Sequence, residues 1–316
     1  MRPPVEPPTS QDPPRRAPET ERAHAVACVS RNDKHFLAEL RVDNGSGASA
    51  LARGRQPIFL IGQPRSGTTL LQRLINSTGN ALLCGEHLGL LRGVAQSYME
   101  FFHHPRLRSL IRHQNLGVAR AARAVQKLRD PRLFSALVNG LDMEYVLGVY
   151  RCFVRSVGNP CNVCTRWGFK EILYCTGRDF VVPMLRGLFP DAQFVFTVRE
   201  PLKQVKSVVH AGWWHHTVEQ AANLWVDQAR AMLQYCHEMP KSAMLVRYED
   251  LICRDELAVR ELFGWLGLPF DGYQRRILFK VGKIGATPKR GKLPPAVQRT
   301  IVQRCLGPES RALYGY

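Results

Sequence analysis

Acidic residues are scarce in this chain. Twenty-six Asp and Glu stand against 44 Lys and Arg, which leaves a formal net charge of +18 over 316 residues. The excess is uneven. Residues 1–55 hold nine basic and seven acidic side chains, so only +2 lies there and +16 lies on the remainder. A basic globular body implies an anionic ligand or partner: a nucleotide, an acidic polymer or a membrane surface. A run of about 18 apolar residues is also lacking, which excludes a membrane-spanning helix. No apolar segment follows Met1-Arg2-Pro3-Pro4 or the pair Arg15-Arg16, so neither reads as an export signal. The nine cysteines are irregularly spaced and odd in number, unlike a secreted disulfide scaffold. A reducing cytosol is therefore expected. Cys161-x2-Cys164 has no second CxxC at ribbon spacing, although Cys152 and Cys175 are near, so no metal is expected.

What is present is a 45 % hydrophobic content, enough for one large α/β domain. Residues 1–22 are rich in Pro and charge and read as disordered, and Asn44-Gly45-Ser46-Gly47 breaks whatever forms over Phe36–Val42. The predicted organisation is thus a tail over residues 1–55 and a domain over residues 56–316. In that domain short apolar runs alternate with amphipathic stretches. Strands are predicted at Pro57–Gly62, Trp167–Ile172, Phe194–Val198 and Ala243–Arg247. Helices are predicted at Thr68–Ser77, 105–129, 134–155, Arg178–Leu188, Leu202–Val209, Val218–His237 and Glu256–Leu266. Such alternation implies an α/β fold with a doubly wound, mostly parallel sheet flanked by helices.

The segment Gly62-Gln63-Pro64-Arg65-Ser66-Gly67-Thr68-Thr69 carries the most chemistry. A strand ends, a polar turn follows and a helix begins, so free backbone N–H groups and the positive end of the helix dipole converge on one point. Gly67 permits close approach, Arg65 adds a fork of donors, and Ser66, Thr68 and Thr69 add hydroxyls. The Gly62-x4-Gly67 spacing is that of a P-loop, but Thr68 stands where a Walker loop needs Lys, which argues against a kinase or ATPase. A second anion site is predicted after strand Phe194–Val198. Arg199 lies at the carboxyl edge of the sheet, where α/β ligands bind, Pro201 suits a first helical position, and Ser207 follows eight residues after Arg199.

Pro64-Arg65-Ser66-Gly67-Thr68-Thr69-Leu70 resembles the 5'-phosphosulfate loop of sulfotransferases that use 3'-phosphoadenosine-5'-phosphosulfate (PAPS), in particular the tyrosylprotein sulfotransferase branch and its bacterial relatives. The Arg199/Ser207 pair is similar to that family's 3'-phosphate motif. The resemblance runs over roughly residues 56–316. It implies transfer of a sulfonate group from PAPS to an acceptor hydroxyl on a protein tyrosine, a carbohydrate or a small molecule, by in-line displacement with no metal.

Such a reaction needs a base near the acceptor and a cation near the leaving oxygen. Cys84-Gly85-Glu86-His87 resembles the family's Cys-Gly-Glu-Glu, whose second Glu is the base. Counted from Arg65, Glu86 takes that place; counted from Cys-Gly, His87 does. Trp167-Gly168-Phe169-Lys170-Glu171 resembles the strand-end segment whose Lys stabilises the leaving oxygen, which gives that role to Lys170. In secreted relatives a disulfide joins the Cys-Gly-Glu cysteine to one just before this Lys. Gly168 occupies that neighbourhood here, which favours a reducing compartment. Tyr248-Glu249-Asp250 resembles an element near the adenine, and the loop Thr287–Lys292, with Lys289 and Arg290, resembles one that closes over the 3'-phosphate. The basic segment 106–132 is a candidate hold for an acidic acceptor, and Trp213-Trp214-His215-His216 for a pocket wall.

Two other functions remain on the sequence. A P-loop kinase lacks its Lys, and a nucleic-acid-binding module lacks basic and aromatic interleaving, so no nucleic acid is expected.

Overall fold

The computed structural model describes residues 56–103, 143–159, 166–174, 179–211, 217–253, 256–281 and 293–315. All of these fall within a compact unit spanning Arg53–Tyr316. The tail, the basic segment 106–132, Cys161, Cys164, Cys175, residues 213–216, Lys289 and Arg290 lie outside the described residues.

The described elements run β1 (Ile58–Gly62), α1 (Thr68–Asn76), β2 (Ala81–Cys84), α2 (Leu91–His103), α3 (Met143–Gly158), β3 (Arg166–Glu171), α4 (Val181–Leu188), β4 (Gln193–Val198), α5 (Pro201–Ala211), α6 (Val218–Glu238), β5 (Ala243–Arg247), α7 (Tyr248–Leu251), α8 (Leu257–Leu266), α9 (Gly272–Val281), α10 (Pro295–Cys305) and α11 (Pro308–Tyr314). The five strands form one sheet in the order β2-β3-β1-β4-β5, and every neighbouring pair is parallel. From β1 the chain crosses to the edge strand β2, returns inward to β3, and then passes to β4 and β5 on the other side of β1. That reversal places a crevice at the carboxyl ends of the central strands.

β1 is buried along its whole length. The alternation of a strand sends Phe59 and Ile61 to one face and Ile58 and Leu60 to the other, and each set joins a separate core cluster. On the first face Phe59 packs on Phe169 and Phe194, with ring centroids 4.9 and 5.5 Å apart, under helices that include α4, α5 and α6. On the second face Leu70, Leu71 and Leu74 of α1 meet Leu262 and Phe263 of α8. A continuous apolar strand with helices on both sides is what a central parallel strand requires.

β2 had no counterpart in the predicted strands. It has four residues, alternates buried with half-buried positions and sits at the sheet edge. So short a run carries little periodic signal. Helices α2, α7, α9, α10 and α11 were likewise not predicted.

Gly168 has a packing reason. It pairs with Ile58, and a Cβ built on it would lie 1.8 Å from the Ile58 carbonyl oxygen. Gly168→Ala is therefore expected to lower unfolding free energy by about 3 kcal/mol, in the upper range for overpacked cores, because the clash is with backbone. Urea unfolding checks this. A loss below about 0.5 kcal/mol would mean that the β1–β3 pairing tolerates a side chain there.

Candidate active site

Sheet register brings the sequence motifs together. Leu60 and Ile61 of β1 stand beside Lys170 and Glu171 of β3, while Gly62 stands beside Thr197 of β4. The loop after Gly62, the Lys170-Glu171 pair and Arg199 thus emerge along one edge.

The loop turns tightly. Arg65 has φ 66° and Gly67 φ 88°, both left-handed. Gly67 is needed twice over, because a Cβ on it would also come within 2.4 Å of the Tyr248 ring. Arg65 holds the left-handed region without being Gly, a strain of about 1–3 kcal/mol that surrounding contacts must sustain. Those contacts come from the second motif. Arg65 Nε donates to Ser207 Oγ at 3.0 Å, Arg199 Nη1 donates to the Arg65 carbonyl at 3.2 Å, and Gln204 Nε2 donates to the Pro64 carbonyl at 2.8 Å. Gln204 and Ser207 lie one turn apart on α5 and are both buried. Gln204 was missed in the sequence, although its spacing from Ser207 marks the same helix face.

The other loop residues divide. Ser66 is buried, its hydroxyl donates to the Gln63 carbonyl at 2.6 Å and it lies 2.8 Å from Thr197 Oγ1, so it braces the turn from within. Thr68 is buried and Thr69 is exposed. α1 starts with no side-chain cap and no acidic residue in its first turn, which leaves its positive end for an outside anion.

Arg199 is held at its backbone, where Trp225 Nε1 donates to its carbonyl at 2.9 Å. Its guanidinium lies 4.5 Å from the centroid of the Tyr248 ring, a cation–π contact. Its Nε is buried without a hydrogen-bond partner. Leaving such a donor unpaired costs about 1–3 kcal/mol, which suits a group awaiting an anion. The donor set therefore fits a nucleotide with two anionic ends: Arg65, Thr69 and the start of α1 at one end, Arg199 and Ser207 at the other.

Beside it, two consecutive residues of the β2–α2 loop meet two consecutive residues of β3. Lys170 Nζ donates to Glu86 Oε1, with the Glu86 side chain 32 % exposed and that of Lys170 only 7 %. His87 Nδ1 lies 2.9 Å from Glu171 Oε2 and 3.1 Å from the Tyr174 hydroxyl. Lys170, Glu86 and His87 are thus brought together. Glu171 and Tyr174 join them unforeseen; a carboxylate directly after Lys170 was the available signal.

Burial by itself raises the Glu171 carboxyl, but hydrogen bonds from the His87 ring, Ile172 N–H and Gly89 N–H, with the charge of His87, outweigh it and hold the group below the ordinary carboxylate range. Asp179 and Arg92 are further charges near this cluster. Asp179 is itself pushed up by burial, against the pull of Arg92. A depressed carboxyl contributes stability that is complete above its unfolded value, about 4.3, and is lost as pH falls through the lower folded value. The unfolding free-energy difference between wild type and Glu171→Gln is therefore expected to shrink as the pH is lowered below about 4. A difference that grows on acidification would contradict this sign.

With this geometry in place, the relatives can be compared. The sequence profile of the Sulfotransferase family matches residues 57–272. A protein-tyrosine sulfotransferase of Drosophila melanogaster is 22 % identical over 220 residues, covering 68 % of this chain and 38 % of that protein. The omega-hydroxy-beta-dihydromenaquinone-9 sulfotransferase Stf3 of Mycobacterium bovis is 28 % identical over 269 residues, covering 70 % and 65 %. The chain thus spans from over a third to about two thirds of the length of these two relatives. A solved structure, the sulfotransferase domain of the Synechococcus PCC 7002 olefin synthase, superposes with a TM-score of 0.48 at 20 % identity, covering 80 % of this chain and 94 % of that domain. The profile match extends from the residue before β1 to the start of α9, across more than half of the chain, and so this chain belongs to the sulfotransferase family.

Proposed function

We propose that this chain transfers a sulfonate group from PAPS to an acceptor hydroxyl. The observation that carries the reading is the direct bond between the two anion motifs, Arg65 Nε to Ser207 Oγ at 3.0 Å, reinforced by Arg199 on the Arg65 carbonyl. Two motifs 142 residues apart in sequence meet at one point, as a single nucleotide with phosphates at both ends requires.

In this reading the bound donor supplies the sulfonate and its leaving phosphate oxygen. Arg65, Thr68, Thr69 and the amides at the start of α1 hold the 5' end, while Arg199 and Ser207 hold the 3'-phosphate, with Lys289 and Arg290 as further cations. Tyr248 backs Arg199 and lies against Gly67, next to the place assigned to the adenine. Lys170 keeps positive charge where the leaving oxygen gains negative charge, and it costs no reorganisation because it is already buried and fixed. Of the two candidate bases, Glu86 is the better supported, being partly open to solvent beside Lys170. Its carboxylate accepts the proton from the acceptor hydroxyl. The names of the relatives point to two acceptor kinds, a protein tyrosine and a hydroxylated menaquinone. A cytosolic setting belongs to the same reading and rests on the cysteine spacing and on Gly168.

Calorimetric titration with adenosine 3',5'-bisphosphate tests the site. Arg65→Ala and Arg199→Ala are each expected to weaken binding about 10- to 100-fold, the range for losing a hydrogen bond to a charged group. Labelled PAPS with phenol, peptide and lipid-alcohol acceptors tests transfer. Absence of nucleotide binding together with absence of transfer would overturn the proposal, and tighter, Mg-dependent binding of ATP would favour a kinase instead.

A further inference from the structure

Glu171 is fully buried, yet its carboxyl is held below the ordinary range. A buried carboxylate is costly unless its lone pairs are filled. Here they are. Oε2 accepts from His87 N at 3.2 Å, Gly89 N at 3.2 Å and His87 Nδ1 at 2.9 Å, and Oε1 accepts from Ile172 N at 2.8 Å. Three of those four donors belong to the loop between β2 and α2.

That loop needs holding. Leu88 and Gly89 are both left-handed, at φ 54° and 77°, and Leu88 is 84 % exposed, so its own side chain contributes little packing. A left-handed residue other than Gly costs about 1–2 kcal/mol. The Glu171 carboxylate bridges this bend from one side to the other, and Glu86 is the residue immediately before it.

The His87 ring is sandwiched. Its centroid lies 4.7 Å from that of Phe169 and 5.4 Å from that of Tyr174, and its Nε2 is sealed from solvent without a partner. In this arrangement its Nδ1 faces Glu171 and Tyr174, and no acceptor hydroxyl reaches its other nitrogen.

We propose that Glu171 and His87 form a clasp that fixes the Glu86 carboxylate against Lys170, so that Glu171 is a positioning residue of the transfer site and His87 is its hydrogen-bond donor rather than the base. The catalytic meaning of the clasp rests on the sulfotransferase reading; its existence does not.

Trace acylation of the full chain with acetic anhydride, read residue by residue by mass spectrometry, reports whether Glu86 guards Lys170. Lys203 and Lys241 are exposed and serve as internal references. Glu86→Gln is expected to raise Lys170 labelling about tenfold, the effect of losing a charged hydrogen bond. Glu171→Gln and His87→Ala should raise it comparably with the references unmoved. His87→Asn, whose amide nitrogen falls near the ring Nδ1, should return it to within about threefold of wild type. The clasp is overturned if Glu86→Gln exposes Lys170 while Glu171→Gln and His87→Ala leave it protected, or if His87→Asn behaves as His87→Ala. Should Glu171→Gln unfold, seen as general lysine labelling, the His87→Ala and His87→Asn pair decides. Titration with adenosine 3',5'-bisphosphate separates the two claims. Glu171→Gln and His87→Ala should still bind it within about tenfold of wild type, since Arg65, Thr69, Arg199 and Ser207 are untouched. A wild-type chain that fails to bind sinks the sulfotransferase reading alone, and normal binding with unmoved Lys170 sinks the clasp alone.

Discussion

Parallel pairing of β1 with β3 on one side and with β4 on the other is the constraint on which the rest of the molecule depends. Parallel strands share a direction, so their carboxyl ends share an edge. Whatever follows each strand must meet there. The loop after β1, the Lys170-Glu171 pair and Arg199 come from three distant stretches of chain, and register makes them neighbours. The cost of that pairing shows at Gly168, where the Ile58 carbonyl leaves no room for a side chain.

Two kinds of restraint then act at the edge. One is electrostatic. Arg65, Arg199 and the uncapped start of α1 gather positive charge around a strained turn, and the Arg199 Nε waits without a partner. The other is mechanical. Glu171 spends its hydrogen-bonding capacity on the His87 loop, and Gln204 and Ser207 spend theirs on the loop after β1. Glu171, Gln204 and Ser207 are all buried, although Gln204 Oε1 has no partner. Glu86 and Thr69 keep some exposure. This division distinguishes Glu86 from His87, which the sequence left open.

Much of the site was legible because phosphate recognition is local. A strand, a glycine turn and a helix start suffice to aim backbone amides at an anion, and Arg199 lies just before the helix that carries Ser207. The central strands were legible because they are buried on both faces and read as unbroken apolar runs. β2 was not, being four residues long at the sheet edge. Glu171 and Gln204 were not, since a polar residue in a buried strand or helix reads the same whether it faces a loop or a void, and Tyr174 lies in the irregular stretch after β3. Lys289 and Arg290 lie outside the described residues.

Sequence by itself determined the class of fold, the strand-turn-helix over residues 62–69 and the excess of positive charge, because each depends on composition or on residues within one or two elements. Tertiary structure alone decided that Arg65 bonds to Ser207, that Glu86 reaches Lys170 while His87 turns to Glu171, and that Arg199 rests on Tyr248. Those contacts depend on which strands are neighbours and in what register, and strand register is set by the packing of whole faces rather than by any local run of residues.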